Sequence, residues 1–282
     1  WDDAAFARAY AELEASLFGD GHAYGAVAPV VGLSAGGRID LGDGIRVRPA
    51  ATGELAAMWP EAAGLLPRDF GREPDRLCVL ELERSLPAGA AEAPDAPGEL
   101  ADAVTAIRLA TSAPVAAGPV LFERLDWRPY GIRPVLPIAA TPPPGEPTRL
   151  DPFRASVAAD LRTRLPAADD DARLGEALDR WELALFQAEP FRGEQLRHAL
   201  ESALGEADGR WAAAMRAAAL LGSTPRERAA LAEQAREPSC ELLRRVLVAV
   251  LLHGDRRRLV RELDAALLGA AAGGLGVQQR AS

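Results

Sequence analysis

Apolar side chains recur along this chain at two periods, and the change comes near its middle. In the first half short stretches alternate apolar and polar residues, the period of a half-buried strand; in the second half the repeat is helical. Residues 2–18 open with helical spacing, Phe6, Tyr10, Leu13 and Leu17 sharing a face, and the glycine-rich 19–25 ends that helix. Ile39 and Leu41 then alternate with polar neighbours, Gly42-Asp43-Gly44 supplies a turn, and Ile45 and Val47 alternate on the return, which predicts a hairpin. A short helix is expected over 52–62. Residues 75–84 form the clearest strand, with Cys78, Leu80 and Leu82 on one side. A Pro/Gly/Ala loop follows over 85–99. Asp95 or a near neighbour opens a helix carrying Leu100, Val104 and Ile107, and 119–127 and 130–138 read as two more strands.

Clustered prolines at 141–147 mark a linker, because they stiffen the chain and continue neither helix nor sheet. Beyond it Asp151 caps a helix with Pro152 in its first position and an apolar stripe of Phe153, Val157, Leu161 and Leu165. Later helices carry Leu174, Leu178, Trp181 and Leu185, then Leu196, Leu200 and Ala203. Another ends at Gly222. Thr224, Pro225 and Glu227 spell a capping box, and two further helices close the bundle. The expectation is an α+β domain over 1–146, an all-α bundle over 147–270 and a disordered tail over 271–282. Helix 240–254 is apolar on nearly every side between 246 and 252, so it is expected at the centre of the bundle or in a subunit interface, with a homodimer formed through it.

Charge narrows the partners. The net charge is −9, which argues against general affinity for nucleic acid or anionic membrane. Residues 1–149 hold 13 Arg against 21 acids, whereas 150–282 hold 19 Arg against 20, leaving room for a local basic patch in the second part. The chain has neither Lys nor Asn, which removes the Walker lysine and Schiff-base chemistry. Cys78 and Cys240 fall in different expected domains, so neither a disulfide framework nor a zinc site is expected, and no cofactor or metal is assigned. No apolar run is long enough to span a membrane and no secretory signal opens the chain; a cytoplasmic bacterial protein is expected. The first residue is Trp1 rather than Met, and the natural N-terminus is expected to be missing.

Four motifs invite chemistry. GLSAG at 32–36 has the spacing of a serine-hydrolase elbow, but strand rather than helix follows, so Ser34 reads as a loop residue. Glu194, His198 and Glu201 have the spacing of a helical metal half-site; Arg197 intrudes and no second Glu-x-x-His faces them, so a solvated helix face is expected. His22 reads as surface. His253 ends its helix before Gly254, and a left-handed cap alone accounts for that pair.

RWAAAMRAAALLGSTPRERAAL (210–231), followed by a helix ending LLHG (251–254), resembles the Apea-like branch of the HEPN superfamily. DRWELALFQAEPFRGEQLRHALESAL (179–204) is similar to the helices that precede that arrangement, and 28–55 with DRLCVLELER (75–84) to the β-containing region ahead of it. The resemblance implies an α+β domain followed by an HEPN-like helical bundle, with roles in RNA processing, defence or stress. Active members of the superfamily are metal-independent endoribonucleases. Their motif is an Arg, four to six residues, then a His, and two copies meet at a dimer interface. An imidazole that titrates near neutrality moves the protons while a guanidinium neutralises charge on the phosphate.

Carried over, His253 takes the place of the motif histidine. The permitted arginine positions hold Val246, Leu247 and Val248. Arg245 stands eight residues before His253, about 12 Å along a helix axis and roughly 80° around it. Arg256 and Arg257 lie beyond the Gly254 break. The leading reading is therefore a non-catalytic interaction or dimerisation protein. The alternatives are an endoribonuclease using His253 and Arg245, with Arg244, Arg256 and Arg257 on the RNA, and a ligand sensor working through the acidic first domain.

Overall fold

The computed structural model describes residues 2–19, 21–51, 54, 78–87, 94–117, 120–126, 128–134, 146–205 and 209–269. The helix expected at 52–62, apart from Glu54, the core of the proline linker (141–145) and the tail at 271–282 lie outside the described residues. The chain divides into two compact units, Trp1–Arg162 and Thr163–Ser282. The first is α+β and the described part of the second is helical.

The first unit opens with α1 (Asp3–Phe18), whose first turn is capped by Asp2, with Oδ1 accepting from the amides of Ala4 and Ala5 at 3.1 and 3.0 Å. The strands are β1 (Gly21–Val31), β2 (Leu33–Ala35), β3 (Ile39–Asp40), β4 (Ile45–Pro49), β5 (Cys78–Pro87), β6 (Ala116–Ala117), β7 (Val120–Leu125), β8 (Arg128–Pro134) and β9 (Thr148–Leu150). The main sheet is antiparallel in the order β3-β4-β5-β1-β7-β8, with β6 also on β1. Sequence periodicity misses its central strand. β1 runs GHAYGAVAPVV, built from small residues and a proline with no clean alternation, yet it pairs with β5 from Gly21↔Pro87 to Val30↔Cys78. The hairpin β3–β4 forms as expected, with Gly42, Asp43 and Gly44 all at positive φ.

One face of the sheet is apolar: Ile45, Val47, Leu80 and Leu82 are buried, and α2 (Ala96–Thr111) packs against β5. Asp95 caps α2 by accepting from the Gly98 amide, and Ser112 closes it in the left-handed conformation. The other face is ionic. Glu81 accepts from Arg46 Nε at 2.6 Å and Arg48 Nε at 2.8 Å, and Arg48 also pairs with Glu54. Burial alone would raise the Glu81 carboxyl, but the two guanidinium bonds bring it below the usual range.

The division falls after Arg162 rather than at 146/147. β9, just past the proline segment, pairs in parallel with β2, and α3 (Pro152–Arg162) packs on α2. The apolar stripe of α3 is rotated from the one read in the sequence: Ala155, Ala158 and Leu161 are buried while Phe153 is 77% exposed. Small residues face α2 because they let the two helix backbones approach closely. Arg162 then anchors the end of α3 through Asp43 and the Leu41 carbonyl. The turn at Thr163–Leu165 interrupts what the sequence presents as one helix to residue 165.

The second unit holds α4 (Pro166–Asp169), α5 (Ala172–Phe186), α6 (Phe191–Leu204), α7 (Gly209–Leu221), α8 (Pro225–Gln234), α9 (Cys240–His253) and α10 (Arg256–Leu267). Trp181 sits wholly buried, and its Nε1–H donates to the Cys240 carbonyl at 3.0 Å, tying α5 to the start of α9. The capping box at Thr224 and Glu227 is formed. Among the described residues no helix is long and apolar enough to cross a membrane.

Candidate functional site

The candidate nuclease residues His253, Arg256 and Arg257 lie at the junction of α9 and α10. Ser239 starts α9, its Oγ accepting from the Leu242 amide at 3.1 Å, and Gly254 stops it at φ 80°, its amide donating to the Val250 carbonyl. Asp255 at once caps α10, accepting from the Arg258 amide at 2.9 Å. The break is therefore a tight helix–cap–helix corner, and it folds α10 back so that Glu262 reaches the end of α9.

His253 meets that carboxylate. Its Nε2 donates to Glu262 Oε2 at 3.2 Å, and Glu262 Oε1 accepts from Arg258 Nε at 2.8 Å. The hydrogen bond from Arg258, and then that from His253, hold the Glu262 carboxyl below its ordinary value. The other ring nitrogen, Nδ1, is buried and has no hydrogen-bond partner among the described residues. With Nε2 directed to the carboxylate, Nδ1 is left closed off from solvent. A proton-transfer catalyst needs a ring nitrogen within hydrogen-bond reach of substrate. In this arrangement one nitrogen is occupied and the other is covered.

The arginines do not gather on the imidazole. Arg245 is exposed, and α9 is unbroken between it and His253, so the separation of about 12 Å along the axis stands. Arg244 turns to Glu241, its Nε and Nη2 donating at 2.7 and 2.6 Å. Arg256 is buried and donates from Nε to Asp171 Oδ2 at 2.9 Å. Arg257 is exposed, with Nε 3.9 Å from the same carboxylate. Val246 and Leu247, two of the motif positions, are fully buried, and Val248 is half-buried.

Asp171 is the acidic centre behind these contacts. It caps α5, accepting from the amides of Arg173 and Leu174, while also accepting from Arg256 across 85 positions of sequence. Burial would raise its carboxyl, yet the Arg256 hydrogen bond and charge, with the two amides, bring it below the ordinary aspartate range. A second arginine, Arg216 of α7, is also buried; its Nε and Nη2 donate to Asp264 at 2.7 and 2.9 Å and its Nη1 to the Leu204 carbonyl at 2.9 Å. Sequence reading misses Asp171, Glu262, Arg216 and Asp264. The only local signals were the N-cap position of Asp171 and the i,i+4 spacing of Arg258 and Glu262.

The apolar run of α9 faces its own unit. Leu242, Leu243, Val246, Leu247, Val250 and Leu251 are buried there, each worth about 1.5–3 kcal/mol of hydrophobic stabilisation. The broad apolar interface expected of helix 240–254 narrows to half-buried Val248 and Ala249 and exposed Leu252, beside Arg245.

The remaining motifs are placed as follows. Ser34 lies in β2, paired with Arg149 of β9, with a strand next rather than a helix. His22 lies in β1 and its Nδ1 is 3.0 Å from Asp126 Oδ2. Glu194, His198 and Glu201 lie on α6, and among the described residues no group of three His, Cys, Asp or Glu side chains is arranged to hold a metal ion. Cys78 is buried in β5, where burial pushes its thiol up to about 11. No family model, curated protein or solved structure matches the chain.

Proposed function

We propose that the chain is a non-catalytic, HEPN-like interaction protein. The observation that carries this reading is the state of the His253 ring: Nε2 engaged by Glu262, Nδ1 buried, and aliphatic Val246, Leu247 and Val248 where a phosphate-binding guanidinium belongs. The arginines around that corner mostly serve the fold. Arg244, Arg256 and Arg258 each answer a carboxylate of their own unit, which leaves them little charge to offer a phosphate backbone. Self-association of the helical unit is assigned to the strip of Arg245, Val248, Ala249 and Leu252. An enzyme reading with His253 and Arg245 gains no support from their separation.

The test is incubation of the full chain with single-stranded RNA in a chelator. The expected result is intact RNA, with His253→Ala altering only the melting temperature. Fragments ending in 2′,3′-cyclic phosphate that disappear in His253→Ala would overturn the proposal.

A further inference from the structure

We draw no further inference here: the strongest candidate, the exposed arginine face of α10 at Arg257 and Arg261, is a charged helix surface, and nothing among the described residues shows what covers it.

Discussion

Arg256 and Asp171 meet across the helical unit, Nε to Oδ2 at 2.9 Å, with the arginine side chain only 2% exposed. A guanidinium so buried is tolerated because the carboxylate is there, and the carboxylate in turn closes the first turn of α5. One aspartate thus joins a local task to a distant one. The consequences of altering it, and its neighbours, are measurable.

Asp171→Ala removes the cap of α5 and the carboxylate to which buried Arg256 donates from Nε. We expect a loss of about 3–5 kcal/mol in urea unfolding. Asp171→Asn retains an acceptor for the α5 amides and is expected to cost less. A loss under about 1 kcal/mol for the alanine variant would show that Arg256 reaches solvent on its own.

The same pair fixes the sign of a pH effect. The folded-state pKa of Asp171 lies below its ordinary value of 3.8, so its contribution is fully present above that value. It is lost as pH falls through the folded pKa, because the unfolded chain takes up the proton first. Acid unfolding curves of the wild type should therefore fall more steeply below about pH 4 than those of Asp171→Asn. Parallel curves would remove the pair from the account.

Val248→Arg puts a guanidinium at a motif position that is half-buried, and we expect it to fold. It should still leave RNA uncut, because Glu262 holds Nε2 of His253 and Nδ1 is covered. Val246→Arg places the same group in a fully buried site and should cost several kcal/mol, on the order of 3 or more. RNA cleavage by Val248→Arg would mean that the ring opens to substrate.

Arg216 donates from a buried position to both Asp264 carboxylate oxygens and to the Leu204 carbonyl. Arg216→Ala strands that carbonyl and is expected to destabilise by about 3 kcal/mol. Arg216→Lys should rescue little, since an ammonium cannot reproduce the two-point contact with the carboxylate. Full rescue by lysine in thermal melts would contradict this.

Gly254 adopts φ 80°, a conformation that an L side chain enters at a cost of roughly 1–2 kcal/mol. Gly254→Ala should lower the melting temperature by that equivalent and loosen the contact between His253 and Glu262. An NMR titration of the His253 ring reads the second effect independently of stability; an unchanged ring signal would separate the cap from the contact.

Short-range chemistry was legible in the sequence. Asp95 and the Thr224–Glu227 box cap their helices, Gly42-Asp43-Gly44 turns its hairpin, and Gly254 ends α9, because each device acts within a few residues of itself. β1 escaped, since its small residues carry no alternation and its place depends on β5 and β7 pairing with it. The face of α3 escaped for a similar reason: Phe153 is the larger hydrophobe, but the close approach of α2 selects Ala155 and Ala158.

By itself the sequence determined the succession of an α+β part and a helical part, the ends of several helices, and the aliphatic identity of Val246, Leu247 and Val248. These follow from periodicity, capping and residue identity, which are properties of neighbouring positions. Only the tertiary structure decided that the apolar run of α9 is covered by its own unit, that Arg256 answers Asp171, and that Glu262 holds His253. Those outcomes are pairings between groups brought together by packing, and linear spacing does not encode which charge will meet which in the interior.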